Sequence, residues 1–147
     1  MTHHPAPVAI RKLGERRFDA DHAEFAELIE QLVAADDAGI EAALFRLKAH
    51  AVKHFGEEDV ELRALGGSAN ECHLDEHKAV LASMEQVAEI VKSGKFEIAR
   101  TLGRELAHWL PGHIEELDVR LTQAMFKVRT GGSEVRIFKP GQLASQE

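Results

Sequence analysis

The stretch HFGEEDVELRALGGSANECHLDEH, residues 54–77, carries two pairs of ionisable side chains at a spacing of four. His54 and Glu58 form the first pair, and His73 and His77 form the second. Residues four apart lie about 40° apart around a helix axis, so each pair can converge on one point. The glycines and small polar residues of GGSAN, between the pairs, predict a turn. The stretch therefore predicts two helices joined by a short turn, each with ionisable residues on one face.

Apolar residues recur at helical spacing on both sides of this stretch, which predicts four amphipathic helices. They are expected over residues 19–37, from residue 40 to the GGSAN turn, over 70–93 and over 96–129. Asp19 or Asp21 is the expected N-cap of the first helix. Short connections favour antiparallel neighbours, so the predicted fold is all-α, an antiparallel up-down-up-down four-helix bundle.

The predicted bundle leaves a short segment at each end of the chain. We assign residues 1–17 to an N-terminal lead-in, 18–129 to the bundle domain and 130–147 to a C-terminal tail. Within the tail, SEVRIF (133–138) alternates apolar and polar residues, so this part is expected to form either a short strand or a disordered end.

Composition narrows the class of protein. With 147 residues the chain is expected to form one domain, and its 18 basic and 25 acidic residues give a net charge of −7. An acidic chain is a poor partner for nucleic acid or an anionic membrane surface. The chain has no apolar run long enough to span a membrane, and its N-terminus lacks the apolar core of a signal peptide. The single cysteine, Cys72, fits a reducing compartment, so we expect a cytoplasmic protein.

Seven ionisable residues lie on or beside the predicted apolar stripes. Each would cost about 1–3 kcal/mol if it were buried without a partner, so seven together call for a compensating partner such as metal. Five imidazoles and two carboxylates exceed the needs of one zinc ion, which usually takes four ligands. Two ions that share bridging carboxylates would use all seven, which points to a dinuclear centre. The seven are His22, His54, Glu58, His73, His77, His113 and Asp118.

The spacing of five between His113 and Asp118 departs from the helical pattern. Residues five apart lie about 140° apart on an ideal α-helix, so the two can converge only if the helix is locally widened or Asp118 reaches in from the flank. Pro111 lies just before His113 and predicts a kink. His108, next to Trp109, is expected on the surface.

At this point the chain resembles a known family, the hemerythrins, and in particular their bacterial single-domain members. The resemblance covers roughly residues 13–126. It depends on four motifs in order, DADH ending at His22, HFGEE from His54, HLDEH from His73 to His77, and WLPGHIEELD ending at Asp118.

The resemblance implies a non-haem di-iron site at the centre of the bundle. One iron would take His73, His77 and His113, and the other would take His22 and His54 and keep a position open for dioxygen. Two carboxylates, together with an oxo or hydroxo group, would bridge the irons; they are Glu58 and Asp118. The implied function is reversible dioxygen binding for storage, delivery or sensing, without enzymatic activity.

Other side chains are expected around this site. Apolar neighbours that would exclude water from a dioxygen pocket are Phe25, Phe55, Leu117 and Leu121. His50, one turn before His54, is an additional residue that the family pattern does not explain. We expect it to be a hydrogen-bond donor beside the site or at the mouth of the pocket, an entry-channel residue or a spare ligand, with an ordinary solvated or hydrogen-bonded histidine as the alternative. We favour a monomer.

Three alternatives differ in their chemistry. The same site could serve a di-iron enzyme or detoxifier acting on nitric oxide or peroxide, or it could store or sense iron. HLDEH also matches the H-x-x-E-H pattern of zinc peptidases, with Glu76 as general base. On a helix, however, Glu76 points about 100° away from His77 and is expected to face solvent. A ferritin-like oxidase would need two Glu-x-x-His motifs, and the chain has one, Glu105 with His108.

Overall fold

The structure is a computed structural model, and it describes residues 8–130 apart from the side chain of Ala69. Three helices precede a fourth, composite one. They are α1 (Arg16–Ala34), α2 (Ile40–Leu65) and α3 (Ser68–Lys92). The fourth helix, α4, consists of an α-helical part Glu97–His113, a π-helical turn Ile114–Asp118 and a second α-helical part Val119–Arg129.

The four helices pack in a closed ring. Helix α1 packs against α2 and α4, and α3 packs against the same two helices. Most of the buried apolar side chains meet in one core to which all four helices contribute, and which includes Phe25, Ile29, Leu47, Met84 and Leu106. The described residues contain no strand, so the predicted all-α antiparallel up-down-up-down four-helix bundle is confirmed. The segment SEVRIF lies outside the described residues.

The second helix has the predicted start, and the turn after it contains the predicted glycines. Gly66 and Gly67 have φ values of 68° and 100°, a left-handed conformation that glycine adopts without strain. Among the described residues, no helix combines the length and apolarity needed to cross a membrane.

The first helix begins earlier than predicted. Its N-cap position is Glu15, which makes no side-chain cap, so the prediction of Asp19 or Asp21 as N-cap is wrong. The carboxylate of Asp19 instead accepts hydrogen bonds from the backbone N–H groups of Leu13 and Gly14, at 2.6 and 3.0 Å. Phe18, fully buried at this end of the bundle, accounts for the earlier start, because its burial favours another helical turn.

Helix α1 also ends three residues before the predicted position. The backbone N–H of Ala35 bonds to the carbonyl of Leu32, and the side chain of Asp36 accepts from the backbone N–H of Gly39. A short 3₁₀ turn, Asp37–Gly39, then leads into α2.

Helices α1 and α4 approach each other closely at Gly103. A Cβ atom at this position would lie 2.7 Å from Cγ2 of Val33 on α1. Because Gly103 has no side chain, α1 and α4 can lie this close to each other. The contact lies beside the core that supports the ionisable residues.

Candidate metal centre

The seven ionisable residues predicted on the apolar faces meet in the middle of the bundle. Each helix contributes at least one of them, and none is more than 4% exposed. Helix α1 brings His22, α2 brings His54 and Glu58, α3 brings His73 and His77, and α4 brings His113 and Asp118. The structure therefore agrees with the predicted convergence of the seven residues. Their binding of metal stays a prediction.

The two oxygens of Glu58 face different histidines. Oε2 lies 2.9 Å from Nε2 of His54 and 3.6 Å from Nε2 of His22. Oε1 lies 3.1 Å from Nε2 of His77 and 3.6 Å from Nε2 of His73. The carboxylate therefore separates two imidazoles on one side from two on the other.

Asp118 repeats this division. Its Oδ2 lies 2.9 Å from Nε2 of His22, while its Oδ1 lies 2.9 Å from Nε2 of His73 and 3.3 Å from Nε2 of His113. The Nε2 atoms of His77 and His113 are 3.2 Å apart. Together the side chains form two groups, one with two imidazoles and one with three, and each carboxylate gives one oxygen to each group.

These short distances are not all hydrogen bonds. Both oxygens of Glu58, both oxygens of Asp118 and the Nε2 atoms of His22 and His73 are buried without a hydrogen-bond partner. Buried polar atoms in such a state are costly, and metal ions compensate them. Imidazole nitrogens with carboxylate oxygens suit first-row transition metals, and each of the two groups could hold one ion.

The electrostatics of the metal-free site also favour a cation. Burial opposes a charge on His22, but the carboxylates of Asp118 and Glu58 outweigh it and raise its pKa to about 9. The same balance raises the pKa of His73 to about 9. Burial likewise opposes charge on the two carboxylates, and the surrounding imidazoles nevertheless hold the pKa of each below its usual range. The metal-free centre therefore holds protons at neutral pH that bound metal ions would replace.

A π-helical turn accommodates the spacing of five between His113 and Asp118. The backbone N–H of Val119 bonds to the carbonyl of Ile114, five residues earlier, so the turn is wider than an α-helical one. Both side chains then face the interior, which confirms the predicted local widening. The helix remains α-helical through Pro111, and the irregularity begins directly after His113.

Three imidazoles also bind a carboxylate through their outer nitrogen. The Nδ1–H of His54 donates to Asp21 at 3.1 Å, and that of His77 donates to Asp59 at 2.7 Å. The Nδ1–H of His113 donates to Oε1 of Glu76 at 3.0 Å. Such partners orient an imidazole and leave its Nε2 lone pair free for a metal.

The side chain of Glu76 is partly exposed, as expected, but it also makes contacts that the sequence did not predict. Its Oε1 accepts from the Trp109 indole N–H at 3.0 Å as well as from His113. A long side chain can cross the α3–α4 boundary even when its Cα lies off the inward face. Sequence reasoning missed all three outer carboxylates, although each is adjacent in sequence to a predicted ligand: Asp21 to His22, Asp59 to Glu58, and Glu76 to His77.

Aromatic rings enclose the imidazoles. Phe55 stacks on His77 at a centroid distance of 4.1 Å, and Phe25 meets His54 edge to face at 6.4 Å. Of the other predicted pocket residues, Leu121 is buried and Leu117 is partly buried.

Two further rings were not predicted. Phe18 meets His54 edge to face at 6.1 Å, and Trp109 stacks on His113 at 4.3 Å. The spacing of four between Phe18 and His22 was the available sequence signal for the first.

The two remaining histidines on these helices are not part of the group of seven. His50 stacks parallel to His54 at 6.0 Å, and its Nε2 donates to the backbone carbonyl of Asp21 at 2.9 Å. His50 therefore lies beside the site with its ring nitrogens directed at α1. His108 is exposed, as expected.

Comparison with known proteins agrees with this geometry. The family model of the Hemerythrin HHE cation binding domain matches residues 13–121. A curated relative, Bacteriohemerythrin of Ralstonia nicotianae (strain ATCC BAA-1114 / GMI1000), is 33% identical over 110 residues, which cover 75% of this chain and 80% of that protein. No solved structure gives a significant match. With this match over most of its length, and with a buried histidine and carboxylate cluster suited to a di-iron site, the chain belongs to the hemerythrin family.

Proposed function

We propose that the chain binds dioxygen reversibly at a non-haem di-iron centre formed by the seven buried residues. The main support for this proposal is that the oxygens of each carboxylate are divided between the two groups of histidines. Glu58 and Asp118 each offer one oxygen to the pair His22 and His54 and one to the three remaining histidines. Two ferrous ions would supply the electrons and the ligand position that dioxygen needs.

The unequal numbers of imidazoles support a site for a small ligand on one side. His73, His77 and His113 would give one ion a nearly complete ligand set, whereas His22 and His54 would give the other one ligand fewer. A metal ion with an incomplete set of protein ligands is where a small molecule binds. We therefore expect dioxygen at the side of His22 and His54.

The surroundings favour release of the bound ligand as dioxygen over its loss as peroxide. Loss as peroxide requires protons, and the outer N–H of His54 is already hydrogen-bonded to Asp21 and directed away from the site. Phe18 and Phe25 are fully buried against His54, so they limit access of water. A dry site in which the N–H of His54 points away from the ligand favours binding over turnover.

The test is metal analysis combined with optical spectra of the reduced protein before and after air, and again after oxygen is removed. We expect two irons per chain and a charge-transfer band that appears with oxygen and disappears without it. His108→Gln, which removes an exposed imidazole, should behave as the unchanged chain does. One zinc per chain and no colour would contradict the proposal, and steady consumption of peroxide or nitric oxide would favour a detoxifying enzyme.

The ligand assignment has its own test. His54→Ala should weaken the ion held by two imidazoles more than His73→Ala weakens the ion held by three, because a smaller set loses a larger share of its ligands. Iron content and competition with a chelator measure this difference. An equal loss of one iron in both variants, or no loss in either, would show that the assignment is wrong.

A further inference from the structure

Three side chains form a second group of possible metal ligands just outside the buried seven. Asp21 and Glu24 on α1 and His50 on α2 each offer one ligand atom, and these atoms all lie within 4.8 Å of one another. We call these three residues the outer cluster. Asp21 connects it to the buried site, because its Oδ2 accepts the outer N–H of His54.

The orientation of His50 indicates that its second nitrogen is available. Its Nε2 lies 2.9 Å from the backbone carbonyl of Asp21, which can only accept a hydrogen bond, so Nε2 carries the proton. In the neutral ring, Nδ1 then presents a lone pair, and it faces Oε2 of Glu24 at 3.3 Å. In that state of the ring two acceptors face each other, and a metal ion between them would bind both. The His50 side chain is 8% exposed, so its Nδ1 is held in a nearly buried position.

The outer cluster also continues inward as a graded series of ligands. The exposed fraction of the side chain falls from 62% at Glu24 to 17% at Asp21 and 8% at His50. It falls further to 2% at His54 and 0% at Glu58. Metal-binding groups therefore extend from solvent to the buried carboxylate, along the packed faces of α1 and α2.

On the other side of the buried site, the described residues form no comparable group. Asp59 and Glu76 each bind the outer nitrogen of one histidine, His77 and His113. Among residues 8–130, neither Asp59 nor Glu76 belongs to any set of three possible metal ligands. Within the described part of the chain, a dissolved cation thus meets a set of three protein donors outside the buried site only on the side of His22 and His54.

We propose that the outer cluster binds a divalent first-row transition-metal ion and is the site from which ions enter the buried centre. One imidazole and two carboxylates suit Fe²⁺, Mn²⁺ or Zn²⁺, with water completing the coordination. An ion there can exchange one ligand at a time for those of the next residue inward, with Asp21 shared between the two sites. The proposal does not depend on what small molecule the buried centre binds.

The first test uses Mn²⁺ as the probe on protein whose buried centre is already filled with iron. Mn²⁺ accepts carboxylate and imidazole ligands, and loss of the electron paramagnetic resonance signal of free Mn²⁺ counts the bound ions. We expect one additional Mn²⁺ per chain, and at least a tenfold weaker binding in Glu24→Gln. Glu27→Gln, which neutralises an exposed carboxylate on the same helix, is the matched control and should bind as the unchanged chain does.

Glu24 suits this test because its side chain is largely exposed and the fold does not depend on it. Equal unfolding temperatures of the Glu24→Gln and Glu27→Gln variants will verify that. Equal Mn²⁺ binding in the two variants would overturn the proposal and leave His50 and Glu24 as an ordinary imidazolium–carboxylate pair. Since both variants keep every other surface histidine, metal bound elsewhere cancels in the comparison.

The second test measures uptake. Metal-free protein is mixed with Fe²⁺ without oxygen, and the rate at which the buried centre fills is followed by quenching with a chelator. We expect Glu24→Gln and His50→Gln to fill several-fold more slowly and to reach the same final content of two irons per chain. An unchanged rate would overturn the role in uptake. A loss of dioxygen binding with normal uptake would instead count against the proposed function alone.

Discussion

Asp59 and Glu76 allow a quantitative test of how outer carboxylates support the centre. They accept hydrogen bonds from the Nδ1–H groups of His77 and His113, at 2.7 and 3.0 Å. Asp59→Asn and Glu76→Gln keep the size of the side chain and remove its charge, so the imidazole opposite becomes a weaker metal ligand. Loss of such a partner lowers metal affinity by about 10–100-fold, which is about 1.4–2.7 kcal/mol.

The two variants should differ because the two carboxylates differ in exposure. The side chain of Asp59 is 18% exposed and that of Glu76 is 43% exposed. Water screens the more exposed charge more strongly. We therefore expect a loss of about 100-fold in Asp59→Asn and of about 10-fold in Glu76→Gln.

The assay is competition between the protein and a coloured chelator for the more weakly held ion, at one pH and salt concentration. Asp75→Asn, at an exposed position on α3, is the matched control. Unchanged fluorescence of Trp109 in Glu76→Gln would verify that the amide oxygen still accepts the indole N–H. If both variants match the control within about threefold, the outer carboxylates do not support metal binding. If Glu76→Gln loses more metal affinity than Asp59→Asn, the exposure of a carboxylate does not determine how strongly it supports metal binding.

Further predictions concern pH, metal removal and packing. In the metal-free protein the pKa values of His22 and His73 are raised from 6.5 to about 9, so the stability they contribute is complete below about pH 6.5 and lost as pH rises through about 9. The unfolding temperature of metal-free protein should fall between about pH 7 and 10, and that of loaded protein should change less, because bound imidazoles hold no proton to lose. Chelation of the metal should lower the unfolding temperature at every pH in this range, measured by circular dichroism, and no change would mean that metal does not stabilise the fold. Gly56→Ala, with no atom within 4 Å of the new Cβ, should raise the free energy of unfolding by about 1 kcal/mol, measured in urea. Gly103→Val should lower it by about 1–3 kcal/mol, because a Cβ there lies 2.7 Å from Val33, and equal effects of the two substitutions would refute the close approach.

The helices and the meeting of the seven residues were predictable because one physical rule governs both. A helix that buries one face repeats its apolar residues every three or four positions, and the ionisable residues were recognised because they share that phase. The second helix, Ile40–Leu65, starts at the predicted residue and ends before the predicted turn. The spacing of five between His113 and Asp118 likewise predicted a local widening, since an ideal helix forbids their convergence.

Features that depend on contacts between helices could not be read in the same way. Asp19 is a good N-cap residue by composition, yet burial of Phe18 against other helices extends α1 past it. Glu76 projects away from the site on an ideal helix, yet its side chain reaches His113 on α4. The outer cluster also required the distance between α1 and α2. In each case the position of the side chain depends on a residue distant in sequence. A local sequence pattern does not indicate such a residue.

A π-helical turn holds one residue more than an α-helical turn, so it rotates all that follows by about 100° relative to an uninterrupted α-helix. Leu121, in the part after the turn, packs with Phe18 and Leu62. Its burial and the inward direction of Asp118 thus require the same backbone register. A change in the volume of Phe18 or Leu62 would reach Asp118 as a rotation of the main chain. The angle of this carboxylate therefore depends on the packing of a hydrophobic cluster at one end of the bundle as well as on the side chains that surround it in the candidate metal centre.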